Sequence, residues 1–330
     1  MEEQSLLLDY IRPVQSGDEK LPEYSHSRLE CYTNCPYQFD LKYNQNKISK
    51  DTTLALEFGS ICHLCLEFKG KMLINGKVDY DFLEKTAFEG GMSDDGRGNA
   101  LKLAGINDLK KKYWQDWATP DSEGHDYNYK VDTFLKILHT EMEENDEWEP
   151  YQFEKEFRFV FNERAIFKGF IDRIDIRKTE LGYEYRLVDY KTSKKRYDDS
   201  KTTTSQQFLI YNMALLLEYG HEAVENQYRF ICIDDRQLAL TKGWQKRGIQ
   251  KLNKIFDQID EGYEKKLWIP KSSPLCYYCT YSNTNPQAKQ YKRECEYFSL
   301  WKPSEKTFEV NKKFDPENKD EPKRKLKFDF

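Results

Sequence analysis

The residues best equipped for chemistry are Asp172, Asp189 and Lys191. Asp189 and Lys191 lie two apart in the strand-like run Arg186-Leu-Val-Asp189-Tyr-Lys191-Thr. Side chains alternate along a strand, so the acid and the lysine point the same way beside the backbone of Tyr190. An apolar segment, Phe167 to Lys178, carries Gly169 and Asp172 and is separated from that run by a turn at Glu180 to Gly182. Paired as a hairpin, the two segments bring Asp172 to the same point. Two carboxylates with a lysine at one sheet edge make a divalent-metal site with a cation beside it.

Such a set suits phosphodiester hydrolysis, which needs a nucleophilic water, charge stabilisation on the phosphate and help for the leaving alkoxide. Mg²⁺ or Mn²⁺ held by Asp172, Asp189 and the Tyr190 carbonyl supplies these, and Lys191 orients the water or stabilises the pentavalent transition state. The competing reading is a solvated Asp-Lys pair on an edge strand. Alternation predicts that Asp172 interrupts an apolar row of Phe170 and Ile174, where an unpaired carboxylate is costly to bury, and this favours a functional site.

At 330 residues the chain holds one large domain or two ordinary ones. A net charge of -5 with 33% charged residues excludes a uniformly basic nucleic-acid binder, so any nucleic-acid surface is local. The N-terminus shows no signal-peptide pattern and no stretch approaches the ~18 apolar residues of a membrane span, which predicts a cytoplasmic protein with no membrane contact. Eight cysteines in a reducing compartment then point to metal or cluster ligation rather than disulfides.

The elements that must position these residues form an α/β pattern: a mixed central sheet of Tyr151 to Phe161, Phe167 to Lys178, Arg186 to Thr192 and Tyr228 to Ile233, flanked by helices. Residues 1–24 read as an arm with little core-forming pattern. The main domain is expected over 25–302. Ser25 opens a helix that Pro36 divides in two, and Leu54 to Phe68 is a better helix containing His63. About 70–150 reads as a helical insertion, with an amphipathic stripe at Val131, Phe134, Leu135, Leu138 and Met142. Its loop Glu89 to Gly98 has Asp94, Asp95 and Asn99 nearby but no EF-hand spacing, so it reads as a flexible linker. After the basic loop Lys194 to Lys201, Gln206 to Tyr219 is a helix apolar almost all round, and Gly243 to Tyr263 a polar amphipathic one. Residues 270–300 carry the C-terminal cysteines. The charged tail 303–330 is expected to be disordered; its basic end, Lys323-Arg-Lys-Leu-Lys-Phe-Asp-Phe330, is a solvated tail or a peptide that recruits a protein partner or contacts DNA.

With these residues in order, the chain resembles the PD-(D/E)XK nuclease superfamily, and within it the RecB-like exonuclease branch that includes AddB-type and CRISPR-adaptation-type nuclease domains. The resemblance rests on Gly169-Phe-Ile-Asp172-Arg-Ile, Asp189-Tyr-Lys191, Gln207-Phe-Leu-Ile-Tyr211, Phe58-Gly-Ser-Ile-Cys-His63 and Ser27-Arg-Leu-Glu-Cys-Tyr-Thr-Asn-Cys35-Pro36, which follow family order over about 25–300. It implies a restriction-endonuclease-like core and a metal-dependent DNA exonuclease acting on duplex ends or single strands in replication, recombination or repair, compatible with a phage origin. It makes His63 a metal ligand, where the residue alone suggests a helix cap or a core hydrogen bond. Gln207 and Tyr211, four apart on one helical face, line the site and contact the DNA backbone or order the lysine. Glu154, rather than its strand-face neighbour Glu156, aligns with the family's acidic residue; both otherwise face solvent.

The iron-sulfur members of that branch staple the ends of the domain with a 4Fe-4S cluster, and the resemblance assigns its ligands to Cys35, Cys276, Cys279 and Cys295. The spacer before Cys295 is longer than the family pattern, which leaves Zn²⁺ as the alternative, with Cys31 a substitute for Cys35. Cys62, Cys65 and Cys232 sit in apolar stretches as small core residues. The rival functions are a catalytically inactive nuclease fold that binds or scaffolds DNA, and a structure-specific or RNA-directed nuclease of the same superfamily.

Overall fold

The computed structural model describes residues 5–94, 99–121, 124–143, 147–239, 242–282, 285, 288–291 and 294–295. In chain order the elements are β1 (Ile11–Pro13), β2 (Glu23–Tyr24), α1 (His26–Asn34), α2 (Pro36–Phe39), α3 (Leu54–Ile74), α4 (Tyr80–Glu89), β3 (Gly90–Asp94), β4 (Ala100–Ala104), α5 (Ile106–Lys112), α6 (Trp114–Trp117) and α7 (Tyr127–Thr140). Then follow β5 (Glu149–Phe161), β6 (Ala165–Thr179), β7 (Gly182–Lys191), α8 (Asp199–Thr203), α9 (Gln206–Tyr219), β8 (Glu225–Phe230), β9 (Asp235–Leu238) and α10 (Gln245–Lys265). The chain forms two compact units: Met1–Glu23 with Leu54–Ile249, and Tyr24–Thr53 with Gln250–Phe330.

The first unit holds a mixed sheet with strand order β1-β5-β6-β7-β8-β9. β5, β6 and β7 form an antiparallel meander, whereas β7 and β8 are parallel. A parallel pair needs a crossover, and α9 lies within it. Ser205 caps α9 by accepting from the Phe208 N–H, and Gly220, with φ of 76°, ends it in the left-handed conformation that favours glycine. Every residue from Phe208 to Leu216 is buried, as the all-round apolar pattern requires.

Val188 and Tyr190 of β7 share a core with Phe58, Ile61 and Cys65 of α3 and Phe134 and Leu138 of α7. Cys62, Cys65 and Cys232 are fully buried there. α3 lies so close to β5 that a Cβ at Gly70 would stand 2.2 Å from the Phe153 ring. Glycine is required at that contact, and the contact sets the helix bearing His63 against the strand bearing Glu154.

Several expectations change. The segment 70–150 is neither wholly helical nor separate: α3 runs through Gly70 to Ile74, β3 and β4 form an antiparallel hairpin, and α7 packs into the main core. Of the glycines in the expected linker, Gly90 serves close backbone approach, since a Cβ there would lie 2.3 Å from the Leu103 carbonyl oxygen. Residues 95–98, including Asp95, lie outside the described residues, as does the tail 303–330 with its expected partner contact. The arm, with little core-forming pattern, nonetheless docks: Leu7 is fully buried and Ile11 pairs with Phe161, adding an edge strand too short to show periodicity. Phe170 is 38% exposed, so the row through Asp172 is not uniformly buried.

In the second unit Ser25 caps α1, and Cys35, extended at φ -162°, separates it from α2, which begins at Pro36. Phe39 packs against Tyr32 and Trp268 with ring centroids 5.5 Å from each. The Tyr281 hydroxyl donates to the Lys47 carbonyl (2.7 Å) and Lys47 pairs with Glu294 (2.7 Å), so the two chain-distant segments are joined by polar as well as aromatic contacts. Among the described residues no helix is long and apolar enough to cross a membrane.

Candidate functional site

β6 loses regular pairing on both sides at Asp172. Towards β7 the ladder runs from Thr179 and Gly182 to Arg173 and Val188, and the next step would face Asp172 with Asp189. Instead the Tyr190 N–H donates to Asp172 Oδ2 (2.8 Å). Towards β5, Phe153 pairs with Arg173 and Lys155 with Ile171, leaving Glu154 between them with φ of 44°. A non-glycine residue in the left-handed region is strained by roughly 1–3 kcal/mol, and such local irregularities in a sheet re-aim side chains beside functional sites. Here the consequence is that Glu154 and Asp172 converge.

His63, from the middle of α3, completes the group: its Nδ1 lies 3.5 Å from Asp172 Oδ2. One ligand atom from each of His63, Glu154 and Asp172 lies within 4.8 Å of the others. An imidazole and two carboxylates are hard to intermediate donors of the kind that hold Mg²⁺ or Mn²⁺. Glu154 also feels the crowding. Burial first, then the Asp172 charge, push its pKa up to about 8, so the cluster gains most from a cation between the carboxylates.

Asp189 stands outside that tight trio and is only 1% exposed. Its Oδ2 forms an ion pair with Lys191 and its Oδ1 accepts from Gln207 Nε2 (2.7 Å), contacts that follow from residues two apart sharing a strand face. Burial raises the Asp189 pKa against the pull of Lys191. The same burial opposes the Lys191 charge, but Asp189 and then Asp172 outweigh it and keep the ammonium protonated.

Gln207 links the pair to α9. Its Oε1 accepts from Lys191 Nζ (3.4 Å) and its Nε2 also donates to the Tyr211 hydroxyl (2.9 Å). Tyr211 is 6% exposed, and its ring packs edge-on against Phe157. Tyr190 turns its ring inward, with its hydroxyl 3.4 Å from Arg173 Nη1. Glu156 is exposed on β5 and joins no part of the cluster.

Sequence reasoning missed what supports the strands from behind. Glu141, 2% exposed, accepts from Arg173 (3.0 Å) and Arg229 (2.8 Å), while Asp175, fully buried, binds Arg173 (2.5 Å) and Arg186 (2.8 Å). The available signal was three charged positions, Arg173, Asp175 and Arg186, inside otherwise apolar strands.

In the second unit Cys35, Cys276, Cys279 and Cys295 line one pocket, and Cys31 does not. Backbone N–H groups point at two sulfurs, Lys271 at Cys35 (3.3 Å) and Ser273 at Cys276 (3.4 Å). Burial pushes the Cys279 thiol up to about 12. Among the described residues no three cysteine sulfurs come within 4.8 Å of one another. A single Zn²⁺ with ~2.3 Å bonds would draw tetrahedral thiolates to roughly 3.8 Å.

A family model described as the PD-(D/E)XK nuclease superfamily matches residues 23–284. An ATP-dependent helicase/deoxyribonuclease subunit from Clostridium perfringens strain SM101 is 26% identical over 226 residues, 62% of this chain and 18% of the relative. The protein of the same name from strain ATCC 13124 gives the same identity and coverage. This chain thus spans less than a fifth of the length of those curated relatives. The family match covers most of the chain, including the strands that carry Asp172, Asp189 and Lys191, and the chain belongs to the PD-(D/E)XK nuclease superfamily.

Proposed function

We propose that this protein is a divalent-metal-dependent DNA exonuclease that hydrolyses phosphodiester bonds at DNA ends or in single strands during replication, recombination or repair. The observation that carries this reading is the convergence of His63, Glu154 and Asp172 beside the Asp189–Lys191 pair. His63, Glu154 and Asp172 hold the ion, and Asp189 and the Tyr190 carbonyl belong to the same ligand set. Mg²⁺ or Mn²⁺ bound there lowers the pKa of water and neutralises charge on the phosphate. Lys191 faces the phosphate as a fixed positive charge, and Gln207, anchored by Tyr211, holds the lysine against Asp189. Water adds to phosphorus, the bond to the leaving oxygen breaks, and a proton goes to that alkoxide. A helicase working alongside would supply single strands, a pairing of activities that the name of the Clostridium relatives joins.

The four-cysteine pocket fits a 4Fe-4S cluster better than one zinc ion. No three described cysteine sulfurs come within 4.8 Å of one another, a spacing that suits a multi-iron cluster better than one tetrahedral ion, and backbone N–H groups aimed at two sulfurs would stabilise thiolates in either case. Cys35, Cys276, Cys279 and Cys295 are its ligands, joining two segments of the second unit.

The test is cleavage of end-labelled single-stranded and duplex DNA with Mg²⁺ or Mn²⁺. Asp189→Ala and Lys191→Ala are each expected to lower the rate by about 10²–10³-fold, the usual loss when one charge-stabilising group is removed. Full activity in both variants would overturn the site, and an inactive wild type would favour a binding or scaffolding role.

A further inference from the structure

The outer face of α10 in the second unit borders a groove of about 750 Å³. Lys251, Lys254 and Lys265 lie along it, at the spacing that places residues on one side of a helix. Lys271 joins them from the segment that returns after the helix. Against these four lysines the lining offers one acid, Glu261, which is paired with Lys265. Lys271 donates to the Thr33 carbonyl (2.9 Å), leaving its charge without a carboxylate there. Among the described residues Lys251 and Lys254 have no ion-pair partner, although the chain has more acids than bases, 57 against 52.

The far wall is apolar. A Cβ at Gly262 would stand 2.9 Å from the Trp268 ring, so the return segment presses directly on α10. That contact sets Leu267 and Ile269 along the groove, and Ile269 is 43% exposed.

We propose that this groove binds the backbone of single-stranded DNA, with phosphates on the lysines and unstacked sugars and bases against the apolar wall. The inference rests on the deoxyribonuclease reading for its choice of polymer. A duplex keeps its bases stacked inside and offers that wall little, whereas a single strand presents both faces at once. Such binding is largely electrostatic and falls with salt.

The experiment measures fluorescence anisotropy of a labelled thymidine oligonucleotide with the full chain, without added divalent metal. A length of about 16 nucleotides fills single-strand sites of the usual size. Lys251 and Lys254 are exposed, so the double variant K251E/K254E is expected to keep the wild-type melting curve while its affinity falls at least tenfold. The slope of log affinity against log salt is expected to shrink by about 1.4, roughly 0.7 for each lost contact on a single strand. Unchanged affinity and slope overturn the groove, and a duplex of equal length bound as tightly overturns the single-strand assignment. Hydrolysis of a small phosphodiester by the wild-type protein with Mn²⁺ tests the nuclease reading separately. If that hydrolysis is absent while the double variant still loses the oligonucleotide, the groove stands and the nuclease reading falls.

Discussion

The two units bring their reactive side chains together in different ways. In the first, His63, Glu154 and Asp172 converge on the strength of protein contacts alone: a helix seated on β5 at Gly70, a left-handed residue at 154 and a strand fork at 172. Lys191, Gln207 and Tyr211 are already hydrogen-bonded around Asp189. In the second, four thiols share a pocket, but no three sulfurs among the described residues come within 4.8 Å. The first site is preorganised by its scaffold; the second would need the proposed cluster to close it. The donors divide the same way, with nitrogen and oxygen, suited to a hard cation, in the first unit and sulfur, suited to a soft metal, in the second.

The sharpest way to break this contrast is to remove the scaffold behind the first site. Glu141 is the shared acceptor of Arg173 and Arg229, and losing one partner of a buried ion pair costs about 3–5 kcal/mol because the remaining charges are uncompensated. Glu141→Gln is therefore expected to lower the melting temperature by roughly 6–20 °C at pH 7. Burial alone would raise the Glu141 pKa, but Arg229 and then Arg173 outweigh it and hold it below the ordinary carboxylate range. A depressed pKa contributes stability that is complete above the unfolded value and lost as pH falls through the folded one. The gap between wild type and variant should therefore narrow in thermal melts between pH 5 and pH 3, about and below the ordinary carboxylate range. A gap independent of pH would mean that Glu141 acts by packing rather than by charge.

The second unit should respond to the proposed cluster instead. Wild-type protein prepared without oxygen is expected to be brown and to contain iron and sulfide. Cys279→Ser is expected to lose both and about 3 kcal/mol of stability, roughly 6–12 °C, because metal-binding energy is folding energy when the site is not preformed. Glu141→Gln should keep its iron. Colourless wild-type protein with stoichiometric zinc would reverse the choice of metal, and an unchanged melt in Cys279→Ser would remove the structural role.

The same division explains what was legible in the sequence. The β6–β7 hairpin, α9 and the shared face of Asp189 and Lys191 follow from periods of two and 3.6 residues and from turn and cap signals, all of which are local. Strand periodicity alone does not separate Glu154 from Glu156, because both lie on one face of an ideal strand; the resemblance favours Glu154, and the irregular φ at 154 is what sets it apart in the fold. Glu141 resembled the solvated acids around it, since its arginine partners come from β6, β8 and β9. The β3–β4 hairpin was hidden because Gly90, at its start, reads as flexibility but acts through close backbone contact. Two units assembled from interleaved segments leave no composition boundary for sequence to reveal.

The finest test of preorganisation lies at Tyr211. Its hydroxyl accepts from Gln207 Nε2, which also donates to Asp189, while Gln207 Oε1 accepts from Lys191. Tyr211→Phe keeps the ring against Phe157 and removes one neutral hydrogen bond, worth about 0.5–1.5 kcal/mol. Gln207 keeps its other two contacts, so the amide loses restraint without losing its place. If Tyr211 positions the lysine through Gln207, kcat should fall by about three- to tenfold with KM unchanged, because an interaction that matters only in the transition state leaves ground-state binding alone. A rise in KM at constant kcat would instead put Tyr211 in contact with the DNA backbone, and Gln207→Glu distinguishes the two further. A carboxylate at 207 would still attract Lys191 but would repel Asp189, so a positioning role predicts a larger loss of kcat there than in Tyr211→Phe.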